Sequence, residues 1–371
     1  MTRGSAIYRR TAIMALAFAV SAGCAGAPNG PAPGGSPDPA RAADQARTFH
    51  TIATQDTYAN YGEQFTRFCQ VTFGFDCTRE GRDLGGMSSA QEVQQWVAEK
   101  NNPKSVLADI GISFIPQAEQ VGILADYEAP NAGLLPDDLH GPGWVATFVG
   151  VPSMIVNLDV LDARGLEVPR TWEDLTDPSY RGMVGLGTIG VSGSATWSFV
   201  AMNLAAGGTL DDWQPGIEYG RRLLPNITQQ ATVDTFTRGE APISVRYDFN
   251  QIVWFDELDA KGVRYEMIVP SDGSVYSPST LMMNRYDVAH HDFAKMFMEW
   301  VLTNEAQVIF AKYGSRPIRW ATGEDRIDVP AEARANWLPN EAYANVETVE
   351  WRDIDAARLQ QIWEDEVESG G

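Results

Sequence analysis

Three observations predict an α/β fold for this chain. Short apolar, β-branched stretches alternate with amphipathic stretches of helical period along the body. Roughly 325 residues remain once an N-terminal leader and a Pro/Gly-rich stretch are set aside, enough for two units with real cores. No internal repeat and no membrane-length apolar run interrupts the alternation.

The leader comes first. Arg3, Arg9 and Arg10 precede an apolar run over 12–20, and Ser21, Ala22 and Gly23 follow it. This order reads as a secretory signal peptide over residues 1–23, since its apolar run is shorter than the roughly 20 residues that span a bilayer. Cys24 stands directly after the small residues and resembles the lipobox of bacterial lipoproteins, with Ser21 where such boxes carry Leu. Its thiol would then receive a lipid. The alternative is an ordinary signal peptidase that removes Cys24 or leaves it free. Residues 24–46 hold Pro28, Pro31, Pro33, Pro37 and Pro39 among Ala and Gly, and read as an extended tether.

The net charge is −21, and the leader's three Arg face no acid, so the mature chain is more acidic still. Such a surface repels nucleic acid and anionic headgroups. Beyond Cys24 only Cys69 and Cys77 remain. An even pair in an exported chain, without nearby His and not spaced C-x-x-C, suggests a structural disulfide. The first of the two ends a predicted helix and the second lies on a predicted strand.

The body begins with a short strand at 51–54. Tyr58, Tyr61, Phe65 and Phe68 recur at helical spacing and predict a helix over 58–69. Ser89 and Glu92 form a capping box before a helix faced by Val93, Trp96 and Val97. Residues 106–114 read as a buried strand and 144–156 as a second extended stretch. Further on, Thr171 and Asp174 cap a short helix. Strands follow at 183–186, 241–247, 263–270 and 279–283, with helices at 194–206 and 249–261. One long helix covers 291–313, ending at Gly314 with Pro317 beyond, and a final helix covers 353–367.

Several blocks of this chain are similar to one family. PRTWEDLTDPSYRG (169–182), RGEAPISVRYDFN (238–250) and DFAKMFMEWVLTNEAQVIFAKYGSRPIR (292–319) resemble blocks of the solute-binding proteins of bacterial ABC importers, in the branch serving ferric iron, polyamines, thiamine and phosphonates. The opening TQDTYANYGEQF and the segment MSSAQEVQQWVAEKNNP resemble it as well. The resemblance implies a type II periplasmic-binding-protein fold with two α/β lobes, two hinge-crossing strands and ligand in the interlobe cleft. Carried onto this chain, lobe 1 is 47–150 plus 280–322 and lobe 2 is 151–279 plus 323–371, with crossings near 149–157 and 272–279. It also implies an ABC permease and its ATPase as partners, no covalent chemistry, and capture of a small solute outside the membrane. The chain is expected to be a monomer without cofactor or metal. The ferric branch uses adjacent tyrosines, and this chain has no Tyr-Tyr pair.

Within that frame, Tyr247, Asp248 and Asn250 sit where a strand meets a helix. A carboxylate beside aromatic rings suits an ammonium group, so a polyamine-like cation is the first ligand expectation, with Trp197, Trp254 and Tyr276 as walls. Asp56 and Tyr58 occupy the equivalent place in lobe 1. Ser88, Ser89, Ser192 and Ser194 open helices whose N-termini attract anions, or serve simply as N-caps. These serines, with Arg246, support the alternative of a phosphonate or other small anion. Neighbours in a strand face opposite ways, so the choice between Arg246 and Tyr247 in the cleft stays open.

Gly185, Gly187 and Gly190 spell G-x-G-x-x-G and keep an exported dinucleotide enzyme as the alternative from another class. No acid ends a second strand at the distance the fingerprint needs, since Asp211 follows two glycines and starts a helix. A turn that lets a ligand approach the backbone is the preferred reading. Ser192 lacks a complete G-x-S-x-G elbow, and none of His50, His140, His290 and His291 is placed to serve it.

Overall fold

The computed structural model describes residues 34–48, 54–77, 87–322 and 326–370. The signal peptide, Cys24 and most of the 51–54 strand lie outside the described residues.

In chain order the strands are β1 (Leu107–Gly111), β2 (His140–Gly141), β3 (Trp144–Gly150), β4 (Pro152–Asn157), β5 (Val184–Leu186), β6 (Ile227–Thr228), β7 (Ile243–Tyr247), β8 (Tyr265–Ile268), β9 (Ser274–Val275), β10 (Ser277–Met283), β11 (Arg316–Pro317) and β12 (Val346–Glu347). They form two larger sheets. The first runs β1-β10-β3-β11 with β2 beside β3, and the second runs β6-β5-β7-β4-β8. Each sheet with its helices makes one lobe, called lobe 1 and lobe 2 in that order.

Two chain passages join the sheets. The apolar stretch predicted over 144–156 is two strands broken at Val151, so β3 belongs to one sheet and β4 to the other. Gly150 stands at this break because a Cβ there would meet Phe249 at 2.5 Å and Tyr247 at 2.8 Å. The return passage is β9 into β10, and β10 joins the first sheet from Ser277.

The C-terminal segment, expected wholly with lobe 2, is divided. Ile327, Val329 and Ala333 pack with Ala311 of lobe 1, and β12 pairs with β9 at the passage between sheets. Trp351 meets Trp144 edge-on at 5.7 Å. Leu338 and Tyr343 already touch lobe 2, the first among Phe236 and Trp254 and the second on Asp248, and the segment ends on that lobe, where Phe199 lies 5.2 Å from Trp363. Apolar side chains spaced along the segment find different faces, which periodicity within it does not specify.

Local corrections follow physical causes. The tether ends early, because Pro39–Thr48 is a helix. Its Ala42 and Ala46 are buried, and Arg41 pairs with Asp292 at 2.8 Å. The 58–69 helix is shifted to Tyr61–Phe73, and Cys77 follows in coil rather than in a strand. Cys69 and Cys77 are nevertheless disulfide-bonded, with Cα atoms 5.8 Å apart. The long 291–313 helix is two helices, His291–Trp300 and Asn304–Tyr313, because Thr303 caps the second with its side chain on Ala306 N. Likewise 249–261 divides into Asp248–Ile252 and Phe255–Ala260.

The lobe 1 core centres on Phe65 stacked on Phe297 at 4.2 Å, with Phe68 and Phe293 around them. Each such ring contributes about 1.5–3 kcal/mol by burial. This packing fixes the helix Tyr61–Phe73, whose Tyr61 donates a hydrogen bond to Asp109 at the site.

Candidate functional site

Strand ends and helix starts converge between the sheets. Tyr58, Ser88, Ser89, Glu92, Asp109 and Ser279 from lobe 1 line a cavity of about 580 Å³ together with Ser192, Ser194, Arg246, Tyr247 and Asn250 from lobe 2. That volume is within the range of small-molecule sites.

Two helices aim their first turns at it. Ser88 caps Ser89–Ala98, and Gln91 completes the box. The box is therefore Ser88 with Gln91, one residue earlier than Ser89 with Glu92. Ser89 instead accepts a hydrogen bond from Gly111 N at 3.1 Å, tying this helix to the end of β1. Ser192 caps Gly193–Ala205, and its hydroxyl meets that of Ser194 at 3.2 Å. The first N–H groups of each helix have no carbonyl one turn back. The lobes touch here, with Ala90 N donating to Val191 O at 3.5 Å. Tyr247 and Ser277 share a hydrogen bond of 2.6 Å close by.

The question of Arg246 against Tyr247 has an unexpected answer, because both line the cavity. Arg246 does so from within β7. Tyr247 is the strand's last residue and the N-cap of Asp248–Ile252, so the chain turns and alternation ends there. Arg246 has no acidic partner among the described residues, and its Nε is buried without a hydrogen bond. Burial lowers its pKa from the ordinary guanidinium value. The Trp254 ring lies 5.9 Å from its Cζ.

Asp109 and Glu92 are the acids of the cavity. Asp109 accepts from Ser279 at 2.6 Å and from Tyr61 at 2.8 Å. Burial pushes its carboxyl up to about 7 against the opposing effect of those hydrogen bonds. Glu92 is 3 % exposed, and burial, aided by Asp109, raises its carboxyl well above the ordinary range. The sequence reading missed both in this role. A charged residue inside the apolar run LADIG was the available signal, since unpaired acids are rarely buried. Glu92 was absorbed into a capping box that another residue completes.

Five predicted residues are elsewhere, among them Trp254, which packs with Ile155, Phe236 and Ile252. Asp248 is fully buried below the site. It pairs with Arg316, accepts from Tyr343 at 2.9 Å, and accepts from Val151 N at 3.0 Å at the crossover. Its charge is thus spent on the joint between lobes, not on a ligand. Trp197 is fully buried in the core. Tyr276 lines a different cavity, with Trp320 and Trp351. Asp56 is outside the lining, and its carbonyl accepts from Gly62 N.

The glycine motif serves packing. Gly190 has φ +76, and a Cβ there would lie 2.2 Å from Gln360 Cβ. The close approach is to the helix Ala356–Ile362 rather than to a ligand.

The comparisons agree with this architecture. Residues 105–346 match the model of the family described as bacterial extracellular solute-binding protein, and the chain belongs to that family. It is accordingly an extracytoplasmic solute-binding protein, in a family of binding proteins. It is 28% identical over 238 residues to an uncharacterized protein of Haemophilus influenzae, covering 58% of this chain and 64% of that protein's length. A sulfate-binding protein of Synechococcus elongatus is 22% identical over 84% of this chain and 82% of its own. Among solved structures, the periplasmic binding protein AfuA from Actinobacillus pleuropneumoniae, with exogenous fructose-6-phosphate bound, superposes with a TM-score of 0.67 at 20% identity. That match covers 86% of this chain and 97% of the other.

Proposed function

We propose that this importer component captures a small solute bearing an oxyanion, such as a phosphoryl, phosphonate or carboxylate group. The observation that carries this reading is Arg246, a cation in the cavity wall with no acidic partner among the described residues. The two helix N-termini add partial positive charge on either side of the cleft. The sulfate of the Synechococcus elongatus relative and the fructose-6-phosphate of the AfuA complex support an anion as well. The polyamine reading loses its main residue, because Asp248 is neutralised by Arg316.

The solute bridges the lobes and favours the closed form, which the permease recognises. The protein acts as a monomer held to the membrane by a lipid on Cys24. A thermal-shift panel of phosphate esters, phosphonates, carboxylates, sulfate and polyamines tests the ligand class. A ligand at about a hundred times its Kd adds about 2.7 kcal/mol of stability. Oxyanions should raise the melting temperature of the wild type and not of Arg246→Gln. Stabilisation by polyamines alone would overturn the proposal.

A further inference from the structure

The cavity holds opposite charges that it does not spend on each other. Glu92 and Asp109 belong to lobe 1, and Arg246 belongs to lobe 2. No ion pair joins them among the described residues. Glu92 is 3 % exposed and lines the cavity, and its carboxyl has no hydrogen bond or ion pair among the described residues. Asp109 receives one hydroxyl on each oxygen, which leaves each oxygen a further lone pair. Burying unpaired ionisable groups is costly, and a cleft built only for packing would pair them or replace them with apolar side chains. This protein buries just such a pair elsewhere, in Asp248 and Arg316.

We propose that the solute is a zwitterion, with its oxyanion on Arg246 of lobe 2 and an ammonium group on the Glu92 and Asp109 carboxyls of lobe 1. The inference rests on the oxyanion reading above and adds the second charge. Aminoalkyl phosphonates and ω-amino acids have this form. Such a solute completes both lobes at once, so closure gains a charge-assisted contact on each side. A simple anion satisfies only Arg246 and meets two acids, which must then stay protonated.

The two cases differ in pH dependence. The ionisable groups facing Asp109 are Glu92, Tyr58, Tyr61, Tyr247 and Tyr313, with Arg246 beyond Tyr58. Burial raises all four tyrosines above their ordinary value, so they remain neutral while the carboxyls titrate. As the carboxyls lose their protons, attraction for ammonium grows and repulsion of a simple anion grows with it.

The test compares matched pairs by calorimetry on the full mature chain: aminopropylphosphonate against propylphosphonate, and γ-aminobutyrate against butyrate. The aminated member should bind at least about tenfold tighter at pH above 7, which is one pK unit of differential interaction. Its advantage should widen as pH rises. Glu92→Gln should shrink the ratio within each pair, and the wild-type pH series gives the same reading if that variant folds poorly. Equal binding within each pair overturns the zwitterion and leaves the oxyanion reading standing. Binding of neither member, with polyamines bound, overturns both.

Discussion

Asp248→Asn tests whether the joint between lobes is held by a buried charge. The wild-type carboxylate is fully buried and accepts four hydrogen bonds, from Val151 N, Phe249 N, Arg316 and Tyr343. An asparagine amide offers one acceptor oxygen, and its NH₂ must face two of those donors whichever way it turns. Arg316 keeps its charge, with Tyr343 stacked on it 3.6 Å from the ring centroid. Breaking one half of such a pair costs about 3–5 kcal/mol. For a chain of this size that corresponds to a fall in melting temperature of roughly 5–10 °C. Differential scanning calorimetry of the ligand-free protein reads it directly. The double change Asp248→Asn with Arg316→Met should recover much of the loss, because it leaves no orphaned guanidinium. A melting temperature for Asp248→Asn within a degree or two of wild type would refute the reasoning.

Other outcomes follow from the same geometry. Gly190→Ala puts a Cβ 2.2 Å from Gln360 Cβ at a φ of +76. A loss on the order of 2–4 kcal/mol is expected, with faster amide exchange in the helix Ala356–Ile362. Reduction of the Cys69–Cys77 bond, which closes an eight-residue separation, should lower stability by about 2.5 kcal/mol in denaturant titrations. Asp109 is raised from 3.8 to about 7, so the native state holds its proton where the unfolded state releases it. Apo stability should therefore fall as pH rises between those values, and Asp109→Asn should flatten that slope in urea melts. Cys24→Ala should abolish labelling by radioactive fatty acid, and equal labelling of the variant would remove the lipid anchor.

Legibility varied with the range of the forces involved. The helices faced by Phe65 and Phe68, or by Phe293 and Phe297, were readable because a buried stripe repeats with the period of the helix that presents it. Their ends were less so. Thr303 stops one helix and starts another by a local cap that an uninterrupted apolar pattern conceals. The starts of both helices were readable from cap chemistry, although the first was placed one residue late, at Ser89 rather than Ser88. Whether two helix starts point at the same space is not a property of either segment.

Chain order and composition by themselves determined the α/β class, the alternation that builds two sheets, and the blocks shared with solute-binding proteins, because propensity and periodicity act between near neighbours. Tertiary structure alone decided which charges are spent and which are open. Asp248 finds Arg316 across 68 positions and is silenced. Arg246, two residues earlier, finds no acidic partner among the described residues and faces the cleft with Glu92 and Asp109 opposite. Electrostatic pairing depends on distance in space and on exclusion of water, and neither is set until the two sheets meet.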